Sequence, residues 1–376
     1  KIAVASGNRI HVYRVHTDAY NRGPWGPVNG PRRSISSMFT SVSVLEGSKP
    51  DLVTCMLWAN GQIPDGVTSR AAPTVFLAAF SDAVGAGSLR YWQLQGTTIK
   101  EMKPLPLEDS TASIVHMDLS TQHLYTADSA GRIAVFDRRK EFARKASKKL
   151  HSQEIRGLEA DEYFVYSMDV SSLLVSRSDD LSAVTVSDLR GATLPPCIGD
   201  LGTTRRTFHT ARLLSRPRSR WAFGHGCRGA SAPRGMLFIV GLDKSGDTIL
   251  LQWHTGASQI VSAGYAGRAQ VSAVQFGPFD NGPILLAMQD GTIELWDWGK
   301  GMQIQACLLH GVAFPAALGT IGPLSARDRE ANGLSAADSP VGLQNLGTRL
   351  TVEPGRGFIS GGLDGSLCIW SRKMDG

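Results

Sequence analysis

The sequence predicts an all-β fold built from repeated four-stranded antiparallel sheets. One pattern recurs seven times: a short apolar run, a turn that often carries Asp, and a strand with alternating apolar residues and an aromatic near its end. Alternation with a period of two is typical of β-strands, because successive side chains point to opposite faces. The pattern returns about every 45 residues where no insertion intervenes, and this spacing is typical of the blades of a propeller.

Each occurrence of the pattern is interpreted as a two-stranded hairpin. The seven hairpins are 3–13, 76–92, 124–137, 173–188, 238–253, 285–297 and 358–370. Two of the turns contain Asp-Gly, at Asp290-Gly291 and Asp364-Gly365, and these residues tolerate the positive φ of tight hairpins. Further strands are predicted at 155–158, 271–276, 302–309 and 348–352. We therefore predict a single domain over residues 1–376 with four strands in each blade.

The last two repeats carry a specific resemblance. The pair Trp296-Asp297 and the stretch LTVEPGRGFISGGLDGSLCIW at 350–370 resemble the repeat of the WD-repeat propellers. The resemblance implies a single seven-bladed β-propeller, with a polar network of His, Ser or Thr, Asp and Trp inside the blades. His151 is the best-placed histidine for such a network. The position of the family's Trp falls on Tyr13, Trp92, Phe136, Ser187, Gln252 or Trp253, Trp296 and Trp370.

Four segments interrupt the repeat, at 18–36, 138–149, 203–234 and 312–344. Segment 138–149 contains seven basic residues and one acid, and segment 203–234 contains eight arginines and no acid. Exposed arginine and lysine attract phosphate and carboxylate groups, so these two segments are expected to bind a partner, with a solvated connector as the alternative. The expected partner-binding residues are Arg138, Arg139, Lys140, Arg144, Lys145, Lys148, Lys149, Arg205, Arg206, Arg212, Arg216, Arg218, Arg220 and Trp221.

The sequence contains no motif that predicts an enzyme. A P-loop, a G-x-S-x-G elbow and an H-E-x-x-H helix are all missing, so we expect neither catalysis nor a cofactor. His225 and Cys227 have no second pair of ligands at metal spacing, so no metal site is expected. Asp128, Asp290 and Asp364 stand at hairpin turns, where we expect them to be structural.

A non-catalytic scaffold for other protein subunits, within a larger complex, is the expected function. The basic segments leave a second interpretation open, a propeller that binds RNA or a ribonucleoprotein. A substrate receptor of a cullin-RING ubiquitin ligase is a third. It rests on Phe136-Asp137-Arg138-Arg139 and Ser187-Asp188-Leu189-Arg190, which resemble a docking box that ends in Trp-Asp-x-Arg.

Bulk properties are those of an ordered globular chain with a mild excess of base. Hydrophobic residues make up 42% and charged residues 19%, and the net charge of +6 favours acidic partners. Five scattered cysteines without a C-x-x-C pair predict free thiols in an intracellular, reducing compartment. No apolar run reaches the roughly 18 residues of a membrane span. Because the chain begins at Lys1 and not at Met, we expect a preceding segment, such as a targeting peptide or another domain.

Overall fold

The structure is a computed structural model, and it describes the parts of the chain in which strands and their connections are defined. These are residues 2–6, 8–15, 39–46, 52–59, 74–95, 98–108, 111–120, 122–189, 207–213, 236–242, 248–254, 257–265, 271–276, 284–288, 292–297, 302–309, 315–320, 357–362 and 367–371. Within these ranges the regular secondary structure is β-strand, apart from one 3₁₀ turn at Arg138–Lys140.

The first four sheets are numbered in chain order. Sheet 1 contains β1 (Ile2–Ser6), β2 (Arg9–Val15) and β3 (Phe39–Glu46), and sheet 2 contains β4 (Leu52–Ala59), β5 (Thr74–Ser81), β6 (Gly87–Gln95) and β7 (Thr98–Glu101). Sheet 3 contains β8 (Ile114–Leu119), β9 (His123–Asp128), β10 (Arg132–Asp137) and β11 (Ala143–Lys149), and sheet 4 contains β12 (Gly157–Ala160), β13 (Phe164–Met168), β14 (Ser172–Arg177) and β15 (Ala183–Asp188). In every one of these sheets, neighbours in sequence are neighbours in space.

The remaining described strands follow the same rule. Sheet 5 contains β16 (Thr207–Leu213), β17 (Met236–Leu242), β18 (Thr248–His254) and β19 (Gln259–Tyr265). Sheet 6 contains β20 (Val271–Phe276), β21 (Ile284–Met288), β22 (Thr292–Asp297) and β23 (Met302–Leu309), and sheet 7 contains β24 (Pro315–Thr320), β25 (Gly357–Gly362) and β26 (Leu367–Ser371). The architecture is therefore an all-β series of antiparallel meanders of three or four strands.

The chain divides into two compact units. The first comprises residues 1–13, 41–244 and 251–262, and the second comprises residues 14–40, 245–250 and 263–376. Sheets 2, 3 and 4 lie wholly in the first unit, and sheets 6 and 7 lie wholly in the second.

Sheet 3 shows how the core of the first unit is built, because it is apolar on both faces. One face contributes Leu124 and Phe136 to a cluster with Leu77 and Leu89 of sheet 2. The other face contributes Tyr125, Ile133 and Val135 to a cluster with Leu158 and Val165 of sheet 4 and with Ile155, which precedes that sheet. Each fully buried side chain of this kind stabilises the fold by about 1.5–3 kcal/mol relative to exposure. Face-to-face burial of successive sheets therefore holds this unit together.

Two hairpin turns are built in the same way at atomic level. In the β5–β6 turn, Asp82 Oδ1 accepts hydrogen bonds from the backbone N–H groups of Val84 (2.9 Å) and Ala86 (2.8 Å). In the β9–β10 turn, Asp128 Oδ1 accepts from the N–H groups two and four residues later, at 3.0 and 2.8 Å. Each turn then places a glycine at positive φ, Gly85 at +89° and Gly131 at +86°. The carboxylate replaces the missing backbone partners of the turn, which is why Asp recurs there.

Three of the predicted interruptions differ from the structure. Segment 138–149 is not an insertion, because it forms the 3₁₀ turn and β11, the outer strand of sheet 3. Strand β16 lies inside segment 203–234, and β24 lies inside segment 312–344, where it pairs with β25. The strand in each of these segments was not predicted because the segment lacks strong apolar alternation. Segments 18–36 and 348–352 lie outside the described residues.

The predicted hairpin at 173–188 occupies a different place in its sheet from the hairpin at 124–137. Strands β9 and β10 are the second and third strands of sheet 3, whereas β14 and β15 are the third and fourth of sheet 4. Ser187 therefore lies in an outer strand and is not equivalent to Phe136. In sheet 5, Trp253 lies in the core, with 1% of its surface exposed.

Candidate interaction surface at the outer edge of sheet 3

The turn that leads into β11 is anchored on both sides. Asp137 Oδ1 accepts the backbone N–H of Arg139 at 2.9 Å, and the Asp137 carbonyl accepts the N–H of Phe142 at 2.9 Å. Glu141 and Phe142 have positive φ, 49° and 60°, which reverses the chain. Phe142 is 6% exposed, and its ring packs edge-on against Tyr91 of sheet 2, 5.2 Å between centroids. Apolar packing thus fixes a turn whose other side chains are polar.

Arg138 helps to anchor this turn through hydrogen bonds of its side chain and its backbone. Its Nη1 donates to the carbonyl oxygen of Ser120 at 2.7 Å, and its backbone N–H donates to the carbonyl of Gln122 at 2.9 Å. The side chain is half-buried. The prediction that Arg138 binds a partner remains untested, and the contacts give it a structural role.

The other six basic residues of the segment are exposed. They are Arg139, Lys140, Arg144, Lys145, Lys148 and Lys149. None of these six has a carboxylate oxygen within 4.0 Å among the described residues, where the ion pairs involve Arg90, Arg132, His151 and Arg156. We refer to these six residues as the basic edge. Their charge is therefore displayed to solvent.

The segment that contains the basic edge is strongly positive. The sequence has 39 basic and 33 acidic residues, a net charge of +6. Residues 138–149 contain seven of the basic residues and one of the acids, which leaves 32 of each sign elsewhere. Seven basic residues and one acid give this segment of twelve residues a net charge of +6, which attracts acidic partners.

Lys145 connects the basic edge to a buried polar cluster. Its Nζ lies 3.4 Å from His123 Nε2, and His123 Nδ1 lies 3.3 Å from the hydroxyl of Tyr125. Burial lowers the pKa of His123, and Lys145 lowers it further, against smaller opposing effects of Asp137 and Asp179. Burial also raises the pKa of Tyr125 to about 12. No apolar alternation predicts this cluster; its sequence signal is the pair of polar residues at alternate positions of β9, His123 and Tyr125.

A second polar network joins His151, which follows β11, to β13 of sheet 4 and to the turn after it. His151 Nδ1 is 3.1 Å from Asp169 Oδ2, and His151 Nε2 is 2.8 Å from Ser167 Oγ. Asp169 Oδ1 also accepts the backbone N–H groups of Ser171 (2.8 Å) and Ser172 (2.7 Å). Burial acts to raise the pKa of Asp169, but these hydrogen bonds and His151 outweigh it and hold the pKa below its ordinary value. Three of the four members that the resemblance implies therefore meet here, around His151.

Polar groups also join sheet 3 to sheet 4. Asp118 Oδ2 in β8 accepts the backbone N–H of Ala160 in β12 at 2.7 Å. The Tyr125 hydroxyl in β9 donates to the carbonyl oxygen of Ser178, which follows β14, at 3.3 Å. Both carboxylate and hydroxyl are buried, where an unpaired polar group costs about 1–3 kcal/mol. These bonds fix the two sheets in one relative position.

The second group of predicted partner-binding residues cannot be placed beside the first. Arg212 lies in β16, opposite Phe238 of β17. The remaining residues of the group, together with Arg190, His225 and Cys227, lie outside the described residues: Arg205, Arg206, Arg216, Arg218, Arg220 and Trp221. Among the described cysteines, Cys55 is a free thiol whose pKa burial raises to about 12.

The described residues hold no group of three or more His, Cys, Asp or Glu side chains arranged to bind a metal ion. A cavity of about 20 Å³ lies beside β10, lined by residues that include Thr126, Arg132 and Phe136. This volume is room for a single water molecule and far below the roughly 300–1,000 Å³ of a small-molecule pocket. In the described parts of the chain, no helix has the length and apolar character needed to cross a bilayer.

The comparisons with known proteins bear on the fold. The sequence matches no protein-family model and no curated protein. Among solved structures, the chain is similar to a chain in the crystal structure of a mitotic checkpoint complex, with a TM-score of 0.59 and 12% identity over 98% of this chain and 83% of that chain. Identity this low is evidence about fold and not about activity. The chain therefore has a β-propeller-like, all-β repeat fold.

Proposed function

We propose that the protein is a non-catalytic scaffold, a seven-bladed propeller that binds other protein subunits within a larger complex. The repeating meanders support the propeller, because sheet 3 buries one face against sheet 2 and the other against sheet 4, in the way that blades do. The likeness to a chain from a multiprotein complex agrees with a role in assembly. Rigid repeated sheets offer many separate surfaces to different partners.

The basic edge is the observation that carries the proposal. Six exposed cations without ion partners in the described structure are held on a strand whose turn is fixed by Phe142 and Asp137. A concentration of like charge destabilises a folded chain through its own repulsion. A partner of opposite charge removes that cost, so a binding surface accounts for this distribution.

The buried ionisable groups support a non-catalytic role. Asp161 accepts the backbone N–H groups of Tyr163 and Phe164, both at 2.8 Å, and the hydroxyl of Tyr166 at 3.0 Å. Burial raises the pKa of Asp161, and those hydrogen bonds oppose the shift. Asp161 and Asp169 thus each accept several hydrogen bonds from the protein itself, and no substrate is needed to explain either residue.

Purification of the tagged protein from its native cells at physiological salt tests the scaffold. We expect protein partners in fixed stoichiometry that remain after nuclease treatment and are lost when the protein is unfolded before mixing. Elution of the protein as a lone monomer would contradict the proposal. Partners that dissociate on nuclease treatment would favour the RNA-binding interpretation instead.

Particle images of the purified protein test the ring. We expect face-on class averages with seven repeats around one centre. Six or eight repeats, or two separate bodies, would show that the repeat has been counted wrongly.

A further inference from the structure

We propose that the outer edge of β11 is a docking site for an acidic segment of a partner protein, which binds in extended form as an added strand. This inference rests on the proposed scaffold function and names one surface and one class of partner for it. The observations that support it are the free strand edge, the arrangement of cations on both faces of β11, and the contrast with the other outer strands.

The edge of β11 is open to another strand. Among the described strands β11 pairs with β10 alone, and it is the last strand of sheet 3. In an antiparallel sheet about half of the backbone N–H and C=O groups of such a strand point away from its neighbour. An extended peptide satisfies these groups by pairing with them, which nucleic acid does not do.

The register places cations on both faces of β11. Lys148 is opposite Ile133, and Lys149 is opposite Arg132, so the two lysines stand on different faces. A bulge at the level of Val135 and Phe136 carries Arg144 and Lys145. An added strand with acidic residues at successive or alternate positions therefore meets a cation on either side.

Protection of the edge against aggregation does not explain this distribution. Proteins do place lysine on outer strands to prevent edge-to-edge pairing. The outer strand of the next sheet, β15, has the stronger need, because Val184 and Val186 are exposed (52% and 65%), yet it contains no basic residue. The outer strand of sheet 2, β7, contains one lysine and one glutamate. The four cations and no acid of β11 are specific to that strand.

The chemistry of the segment favours an acidic peptide over a single-stranded nucleic acid. Binding of single strands combines cations with exposed aromatic rings on which bases stack. Phe142 is the one aromatic residue of 138–149, and it is buried against Tyr91. Residues 138–149 therefore offer charge and backbone hydrogen bonds but no exposed aromatic ring.

The test measures binding of a labelled ten-residue peptide of alternating glutamate and threonine to the full chain by fluorescence anisotropy. We expect saturable binding that weakens as salt rises. A peptide with proline in place of each threonine keeps the charge but loses half of its N–H donors, and we expect it to bind about tenfold more weakly. Equal binding of the two peptides would overturn strand addition.

Charge variants with a matched control locate the site. Lys148→Glu with Lys149→Glu should weaken peptide binding about tenfold, since two exposed attractions become repulsions. Lys100→Glu with Lys103→Glu changes the net charge equally at exposed positions of sheet 2 and its following loop, and it should leave binding unchanged. Equal losses in the two double variants would mean a non-specific field and would overturn the proposal. Lys148→Gln with Lys149→Gln, expected to weaken binding about threefold, serves if the glutamate variant does not fold.

Two further results separate this inference from the scaffold proposal. If native partners still co-purify with the Lys148→Glu and Lys149→Glu variant while the peptide fails to bind the wild type, the scaffold stands and the docking edge is wrong. If the peptide binds as expected but no native partner is found, the scaffold proposal fails and the docking chemistry stands. Tighter binding of a ten-nucleotide single strand than of the peptide, with the same dependence on Lys148 and Lys149, would overturn the choice of partner.

Discussion

Substitution of Gly131 by alanine should destabilise the protein far more than the same change at Gly85. Both glycines occupy the same place in an Asp-containing hairpin turn, and both have a φ near +90°. The left-handed conformation costs an alanine about 1 kcal/mol relative to glycine, and this cost is common to both sites.

The difference between the two sites comes from their surroundings. A Cβ on Gly85 would have nothing within 4 Å, whereas a Cβ on Gly131 would collide with the backbone carbonyl oxygens of His151 and Gln153. Relief of such overpacking costs about 1–3 kcal/mol. The Gly131 carbonyl also accepts the N–H groups of Leu150 and His151, both at 3.0 Å, and a backbone shift would weaken bonds worth about 1 kcal/mol each. We expect the free energy of unfolding to fall by about 4 kcal/mol in Gly131→Ala and by about 1 kcal/mol in Gly85→Ala.

Equilibrium unfolding in urea, followed by far-ultraviolet circular dichroism, measures both variants under one set of conditions. Equal losses for Gly131→Ala and Gly85→Ala would refute the close approach of the 151–153 loop to the β9–β10 turn. A Gly131→Ala variant with an unchanged free energy of unfolding would also refute the positive φ at that position.

Three further predictions follow from the site. Phe142→Ala should lower the free energy of unfolding by about 3–5 kcal/mol and speed amide hydrogen exchange selectively in residues 138–149. Exchange that rises evenly across the protein would contradict a local anchor. Asp169→Asn should lower the free energy of unfolding by about 2–3 kcal/mol at pH 7. The pKa of Asp169 is depressed in the folded state, so this stabilisation is fully present above the unfolded pKa and is lost as pH falls through the folded pKa. The difference in free energy of unfolding between wild type and variant should therefore shrink below about pH 4. A constant difference down to pH 3 would contradict the depressed pKa. Lys145→Ala should raise the pKa of His123, measured by NMR titration of the ring, while Lys140→Ala, a matched exposed lysine, should leave it unchanged.

Hairpins were predictable because their strands are buried on both faces and alternate with turn residues. The β9–β10 hairpin combines apolar Leu124 and Phe136 with Asp128 at the turn, and such signals are local. The β14–β15 hairpin carries the same local signals, so the sequence alone does not reveal that it lies one strand further out. Position within a sheet depends on pairing between distant residues.

The basic edge was predictable as a charged segment but not as a strand. An outer strand contacts one neighbour, so its side chains are mostly exposed and need not alternate between apolar and polar; in β11 only Ala146 and Ser147 are partly buried. The anchoring role of Arg138 was equally hidden, because its partner is the carbonyl of Ser120, eighteen residues earlier. Composition shows where charge is concentrated, and only the fold shows which charged side chains already have hydrogen-bond partners within the protein.

The bonds from Asp118 to Ala160 and from Tyr125 to Ser178 have a consequence for how the protein unfolds. If sheet 3 separated from sheet 4, a buried carboxylate and a buried hydroxyl would each lose the hydrogen bond that joins the two sheets, and the apolar faces would be exposed to water. Partial opening between these two sheets is therefore costly, and the pair should melt as one cooperative block. A partner that binds β11, the outer strand of sheet 3, would in this way also stabilise sheet 4 without contacting it.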